Sequence, residues 1–404
     1  MTPRVQHRVS AHCEVSAEPL PSRENHVTVT ASSRAGFSFS SIMAASITVM
    51  ELGFVQECEP WRLRSPQFPS KVGGRPAWLG EEGLPGPERL QCGVCKKPLA
   101  FLLQVYAPCT GSFHRTLYLF ACRDPACHRA GENRSYKVFR NQLPRKNETY
   151  SYGPPPDSPP PGEDPASFQL KCGLQLCRVC GCLGPKSCSR CHKANYCDRL
   201  HQLIDWRAQH KVVCAQEADV RGVEAADHGF LFPEYELVTE PEELDCDTSL
   251  TDDSTMSQMD VESMSSNVPS NLESSLDDLK LNEDDLTAMA KHESEDDKAF
   301  SRFKKRISVE PEQVLRYCRG GDPLWISLQN VPAENDIPNC ECGAKRAFEF
   351  QVMPQLLNHL KVDSLQESID WGVLAVYTCA ANCNAETCYV EEFLWKQDVS
   401  VDTM

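Results

Sequence analysis

Eight residues between positions 177 and 214 have the types and spacings of zinc ligands. Two tight pairs, CRVC (Cys177, Cys180) and CSRC (Cys188, Cys191), are followed by Cys197 with His201 and by His210 with Cys214. The last two pairs are each spaced by four, which on a helix puts both side chains on one face, a turn apart. Zinc takes four Cys or His ligands in a tetrahedron, and a pair separated by two residues wraps one ion without strain. Eight ligands make two sites. The roughly 38 residues involved bury too little apolar surface to fold unaided. The metal would then supply the folding free energy.

Two more cysteine sets flank this cluster. One is Cys92 and Cys95 with Cys122 and Cys127; the other is Cys340 and Cys342 with Cys379 and Cys383. In each, a turn pair and a distant pair at the end of a β run can close a ribbon-type four-cysteine site. The alternative is ordinary buried cysteine. Fourteen cysteines and two histidines make sixteen ligands, enough for four zinc ions, and eight of the 22 cysteines are spare. His114 and His128 lie nearby in sequence and are expected at the surface. Every set closes at four ligands, leaving no position for water, so the sites read as structural and not catalytic. The chain has no GxSxG, P-loop, HExxH or Rossmann fingerprint. The GG of KVGGRPAWL reads as a turn, because no Walker lysine follows. No enzyme is expected.

The elements that must hold these ligands follow from composition. The 404 residues are 41% hydrophobic, enough for folded cores. The opening MTPRVQHRVS has no apolar signal region, and no run of 18 apolar residues spans a membrane. That context favours metal over disulfides for so many cysteines. The formal charge of −16 is concentrated: residues 241–300 hold 18 Asp and Glu against three Lys. The remainder is close to neutral, so a nucleic-acid surface is not indicated. Lysines and arginines from Arg178 to Lys211 form no clean stripe either.

The expected order is a disordered extension (1–42) ahead of a usual start at Met43, then an N-terminal zinc-bound β module (43–152). A Pro-rich linker (153–171), the finger (172–214), an acidic, mostly disordered linker (215–285) and a C-terminal zinc-bound β module with leading helices (286–400) follow. A transit peptide is the rival for 1–42, but Glu14, Glu18 and Glu24 argue against it. Leu286, Met289, Phe300, Phe303 and Ile307 fall at near-helical spacing. PEQVLRY reads as a further helix, opened by Pro311 and stopped by Gly320-Gly321. Trp61, Trp78, Trp325, Trp371 and Trp395 are expected in cores.

The two folded blocks resemble each other. One reads CGVC, AFLLQVYAP, YLFACRDPAC, YKVFRNQL; the other reads CECG, AFEFQVMPQ, AVYTCAANC, YVEEFLWKQD. The reading is a β-rich α+β chain: one β module made twice, each copy pinned by a four-cysteine site, with the finger and the acidic segment inserted between.

The stretch Cys177–Cys214 resembles the MYND zinc finger, including Tyr196-Cys197, Gln202, Asp205-Trp206 and His210-Lys211. The resemblance implies a cross-braced pair of sites: Cys177, Cys180, Cys197 and His201 in one; Cys188, Cys191, His210 and Cys214 in the other. His201 stands where cysteine is common, and Cys182 is extra and no ligand in this register. From Glu51 to Asp398 the chain also resembles the programmed cell death protein 2 family. ELGF, QFPSKVGGRPAWL, FRNQLPRKN, CRVCGCLGPKSCSRCHKA, PEQVLRY, EFQVMPQLLN and EEFLWKQDV carry the likeness. The family is similar to a yeast ribosome-synthesis factor lacking the finger. The resemblance implies a dedicated chaperone that captures a newly made basic protein, small-subunit ribosomal protein two, in support of 40S ribosome biogenesis, in cytoplasm and nucleus. The acidic segment would attract such a client, and the β modules would cover it by strand addition or in a groove. The other reading is a transcriptional or apoptosis-linked adaptor, its finger recruiting proline-rich or corepressor proteins.

Overall fold

The computed structural model describes residues 49–109, 114–159, 174–214, 228–243, 294–362, 368–383 and 389–399. Ten strands close into one antiparallel barrel. They are β1 (Glu51–Gln56), β2 (Lys71–Val72), β3 (Ala100–Tyr106), β4 (His114–Ala121), β5 (Tyr136–Leu143), β8 (Tyr235–Pro241), β9 (Leu315–Tyr317), β10 (Arg346–Val352), β11 (Val373–Cys379) and β12 (Val390–Gln397). Around the ring the order is β1-β8-β2-β3-β4-β5-β12-β11-β10-β9, and β9 returns to pair with β1. A separate hairpin, β6 (Lys186–Ser187) with β7 (Asn195–Tyr196), lies in the Cys/His stretch.

The two related blocks are the two halves of this ring. In β3–β4, Phe101 pairs with Phe120 and Leu103 with Leu119 across a bulge. In β10–β11, Phe348 pairs with Tyr377 and Phe350 with Val376 across the same bulge. Each half takes its outermost strand from the other side of the chain: β1 flanks β9, and β8 flanks β2. So β8, within the stretch 215–285 expected to be mostly disordered linker, is a barrel strand, paired with β1 over six residues. The seam between β5 and β12 is narrower, with three pairs.

The central strands β3, β4 and β11 are buried on both faces, so they read as near-continuous apolar runs. Along β4, Leu117, Leu119 and Ala121 point into the barrel, while Tyr118 and Phe120 join an outer aromatic layer. Along β11, Leu374 and Val376 point inward and Ala375 and Tyr377 outward. One ion pair crosses the interior. Arg115 donates to both Glu349 oxygens at 2.7 and 2.9 Å, and both side chains are fully buried. Tyr317 and Thr378 hydroxyls also donate to Glu349. Burial alone would raise the Glu349 carboxyl, but Arg115 outweighs it and holds the group below the ordinary carboxylate range.

Several expectations are corrected. PEQVLRY is not a helix. The long helix ends at Val309, and Glu310 leaves the helical region (φ −133°, ψ 83°), as a following proline disfavours helical backbone at the residue before it. Pro311 therefore stops that helix, and Leu315–Tyr317 is a strand held by β1 and β10. Phe303 and Ile307 are buried on the helix Glu295–Val309, with Phe300 half-buried beside them. Leu286, Met289, the extension 1–42 and the acidic residues 244–293 lie outside the described residues. His114 is not a surface residue: it is buried, hydrogen-bonded to the Tyr106 hydroxyl at 2.9 Å and stacked on Phe68. Burial, helped by Arg145, pushes its imidazole down to about 4. Of the five tryptophans expected in cores, Trp78 and Trp371 are buried, whereas Trp61, Trp325 and Trp395 are partly exposed.

Replacing Arg115 by methionine strands Glu349 inside the barrel. The unfolding free energy is expected to fall by roughly 3–5 kcal/mol, less what Arg319 recovers from 3.3 Å away. Adding Glu349→Leu to that variant should restore most of the loss. Denaturant melts of the full chain at fixed zinc would read both.

Candidate metal centres

The sixteen residues singled out above fall into four groups: Cys92, Cys95, Cys122, Cys127; Cys177, Cys180, Cys197, His201; Cys188, Cys191, His210, Cys214; and Cys340, Cys342, Cys379, Cys383. Within each, the ligand atoms lie within 4.8 Å of one another.

Local backbone explains the grouping. In the first set, Cys92 and Cys95 sit in a knuckle whose amides fold back, Cys92 N–H to the Lys97 carbonyl and Lys96 N–H to the Cys92 carbonyl. Cys122 follows directly on β4, and Cys127 ends a short turn capped by Asp124. In the last set, the Cys340 knuckle closes through Gly343, whose φ of +87° suits glycine. Cys379 ends β11. In the finger, the helix Arg199–Asp205 is capped by Asp198, which accepts from His201 N–H at 2.9 Å. A π turn over Trp206–His210 then carries the chain to Lys211–Val213, so His201 serves one site and His210 with Cys214 the other. Buried Asp205 ties these pieces together, accepting from the Tyr196 hydroxyl at 2.6 Å and from Arg178 at 3.0 Å.

The spacings fit zinc. A tetrahedron with Zn–S bonds of ~2.3 Å has S···S edges of about 3.8 Å, whereas a disulfide brings sulfurs to ~2.0 Å. The Sγ···Sγ distances are 3.7 Å (Cys95–Cys122), 3.8 Å (Cys180–Cys197), 3.9 Å (Cys188–Cys214) and 3.6 Å (Cys340–Cys383 and Cys342–Cys379). The histidines face sulfur through His201 Nδ1, at 3.5 Å from Cys177, and His210 Nε2, at 3.6 Å from Cys191. Without a cation the sulfurs resist ionising together. Hydrogen bonds from Cys177 and Cys180, with burial, drive the Cys197 thiol far up, and burial raises Cys122, Cys127, Cys214 and Cys383. A divalent cation removes that penalty.

The supporting residues were not legible from spacing. Arg140, on β5 in the N-terminal half, donates to the Cys383 carbonyl at 3.2 Å and to its Sγ at 3.5 Å. The same guanidinium donates to Glu392 at 2.7 Å, and Arg346 donates to the other oxygen of that carboxylate at 2.9 Å. One half of the barrel therefore steadies the cysteine set of the other. His128, expected at the surface, is half-buried: its Nε2–H donates to the Cys122 carbonyl at 2.8 Å, and its Nδ1 accepts from the Tyr136 hydroxyl. Its place directly after Cys127 was the available signal. Cys182 is buried but outside the ligand groups, its Sγ 3.8 Å from the Cys180 carbonyl.

The histidine at 201 also gains an account. Its ring packs edge-on against Phe230, with centroids 4.2 Å apart, and Phe230 belongs to the segment leading into β8. Imidazole reaches from the ligand group to the barrel-bound chain; a cysteine side chain is too short to do both.

Three family descriptions match the chain. "Programmed cell death protein 2, N-terminal domain" matches residues 49–157, "Programmed cell death protein 2, C-terminal putative domain" residues 297–398, and "MYND finger" residues 177–214. The last implies zinc. The chain is 53% identical over 354 residues to Programmed cell death protein 2 of Bos taurus, spanning 87% of this chain and 96% of that one. To the Mus musculus protein it is 54% identical over 361 residues, spanning 88% and 98%. Over 99 residues, 22% of this chain and 24% of the relative, it is 35% identical to a Schizosaccharomyces pombe protein named "Probable 20S rRNA accumulation protein 4". No solved structure matches. None of the three descriptions names a catalytic activity.

His201→Cys should keep the finger's metal while losing the ring contact. Zinc content by elemental analysis is expected to stay unchanged, and the finger's unfolding free energy to fall by about 0.5–1.5 kcal/mol, the worth of one aromatic pair.

Proposed function

The chain belongs to the programmed cell death protein 2 family, and from that premise we propose that it is a non-enzymatic, zinc-held chaperone for a newly made basic small-subunit ribosomal protein. The client implied by the family resemblance is small-subunit ribosomal protein two, and the role is support of 40S ribosome biogenesis in cytoplasm and nucleus. The match to a relative named for 20S rRNA accumulation carries this reading.

The physical features agree with it. Each metal set closes at four ligands, which suits four structural zinc ions and leaves no open coordination position. The acidic stretch 241–300 provides long-range attraction for a basic client. The ten barrel strands are paired in a closed ring, so strand addition would require opening it, and a client is better received on an outer face. No described helix is long and apolar enough to cross a membrane.

A second reading makes the finger the working part, an adaptor for corepressor or proline-rich proteins. Leu200, Leu203 and Val212 favour it, since they are exposed apolar residues on the finger's helical segment.

Affinity purification of the tagged full chain, with mass spectrometry, separates the two. One basic ribosomal protein in near-equal amount is the expected result, lost at least tenfold on Cys92→Ala or Cys340→Ala and largely kept on Cys188→Ala. Elemental analysis should find four zinc per chain, and about one fewer in each variant. Corepressor proteins lost on Cys188→Ala, with no ribosomal client, would move the function to the finger.

A further inference from the structure

The duplicated halves carry a second repeated motif, GGRPAWL (73–79) and GGDPLWI (320–326), placed at the same distance before Gln104 and Gln351. Those two glutamines hold the two loops alike. Gln104 accepts from the Ala77 amide at 2.9 Å and donates to the Ala77 carbonyl. Gln351 accepts from the Leu324 amide at 2.6 Å and donates to the Leu324 carbonyl at 3.0 Å. Trp78 and Trp325 are thus presented from equivalent positions, over the equivalent pairs Phe101–Phe120 and Phe348–Tyr377.

In the N-terminal half this seat is occupied by the finger. Trp78 stacks near Tyr118 and Phe120 and donates its indole N–H to the Gly181 carbonyl at 2.8 Å. Arg75 donates to the carbonyls of Arg178 at 2.8 Å and Val179 at 3.4 Å. The Cys177–Cys182 turn therefore lies on the loop with its carbonyls turned towards it. Gly181 is pressed so close that a Cβ there would meet Arg75 at 2.7 Å.

In the C-terminal half no described segment takes the finger's place. The helix Glu295–Val309 covers part of the outer aromatic layer through Phe303 and Ile307. Beside it remains an open groove of about 370 Å³, lined by Asp322, Pro323, Trp325, Val331, Phe348 and Tyr377 among others. Among the described residues nothing accepts from the Trp325 indole N–H. The charge at the rim is reversed: exposed Asp322 stands where the other half has Arg75. The neighbouring cation, Arg319, is turned inward to Glu349 and the Cys379 carbonyl. The described chain resumes after the acidic residues at Ser294, and Asp296 accepts from the Leu328 amide and the Gln329 side chain at 2.7 Å, on the loop that runs on to Val331.

We infer that this groove is the docking seat for an apolar turn flanked by lysine or arginine in a basic client protein, received as the finger's turn is received in the other half. Trp325, Phe348 and Tyr377 grip the apolar part; Asp322 takes the flanking cation. The inference rests on the chaperone reading for the client's identity but not for the chemistry of the seat.

Two synthetic peptides test it, sharing one Pro- and Leu-containing turn and flanked either by Lys/Arg or by Glu. Each is titrated by fluorescence anisotropy into the zinc-loaded full chain. The basic peptide should bind, lose at least tenfold in affinity with Trp325→Ala, and keep most of it with Trp325→Phe. Asp322→Lys should reverse the preference towards the acidic peptide. Zinc content and circular dichroism establish that the variants are folded. Binding of neither peptide, or unchanged binding in Trp325→Ala and Asp322→Lys, overturns the seat. The same variants used in the affinity purification separate the two ideas. A ribosomal client retained equally by wild type and both variants sinks the groove and spares the chaperone. Peptide binding as expected, with no ribosomal client, does the reverse.

Discussion

Neither five-stranded half can bury its inner face alone, and closure into one ring is the constraint from which the rest follows. A half made of β2 to β5 with β8 would expose Leu117, Leu119 and Val105 on one face, and two open edges. Meeting the other half covers that face and removes the edges together. Exchange of the outermost strands makes the arrangement mutual: β1, first in the chain, completes the C-terminal half, and β8, which follows the finger, completes the N-terminal one. A chain joined in this way cannot keep one half folded while the other opens. The buried Arg115–Glu349 pair adds specificity to this closure, because buried Arg115 reaches its carboxylate only when the two halves meet in one register, whereas Glu349 has Arg319 within its own half.

One cysteine set, Cys340, Cys342, Cys379 and Cys383, lies beside the narrower of the two seams between the halves. The β5–β12 seam has three residue pairs against six at β1–β8. At the short seam, Arg140 and Gln142 from one half reach the Cys383 carbonyl of the other, and Arg140 also contacts its sulfur. A four-thiolate zinc site carries net negative charge, so a buried guanidinium beside it is stabilised by it and stabilises it in return. Ion binding at that knuckle and pairing of the halves are thereby the same event seen from two sides. The finger is tied in differently, through Trp78 to the Gly181 carbonyl, Arg75 to the Arg178 and Val179 carbonyls, and His201 against Phe230.

Much of this was legible because metal ligation constrains sequence tightly. Thiolates and imidazoles must come in fours at short loop spacings, and the four sets read from spacing and resemblance meet in space. The repeat was legible because strands buried on both faces leave long apolar runs. What escaped notice depends on partners distant in the chain. Tyr235–Pro241 has few apolar residues, since only its inner face meets the core, and its identity as a strand comes from β1 and β2. PEQVLRY carries helix-compatible residues, but Pro311 acts on the residue before it and the ladders on either side claim Leu315–Tyr317. His114 looked polar and therefore exposed, yet it is stacked on Phe68 and bonded to the Tyr106 hydroxyl, and burial with Arg145 nearby favours the neutral ring. The GG-x-P-x-W repeat was visible in the letters and passed over, because its meaning lies in two glutamines far downstream.

The position of the acidic segment has a consequence for how charge is presented. The chain leaves the barrel after β8 with Glu242, which accepts from Arg306 at 2.6 and 2.7 Å and from Arg316 at 2.8 Å. It returns at Ser294, where a capping box with Asp297 starts the helix Glu295–Val309. Exit and return are therefore fixed near opposite ends of one helix, which at 1.5 Å per residue spans about 22 Å. Both anchors belong to the helix-bearing side of the barrel, the side of the C-terminal half and not of the finger. On the proposed chaperone reading, a basic client attracted by residues 241–300 would be met on the helix-bearing side, where the outer aromatic layer of the C-terminal half lies.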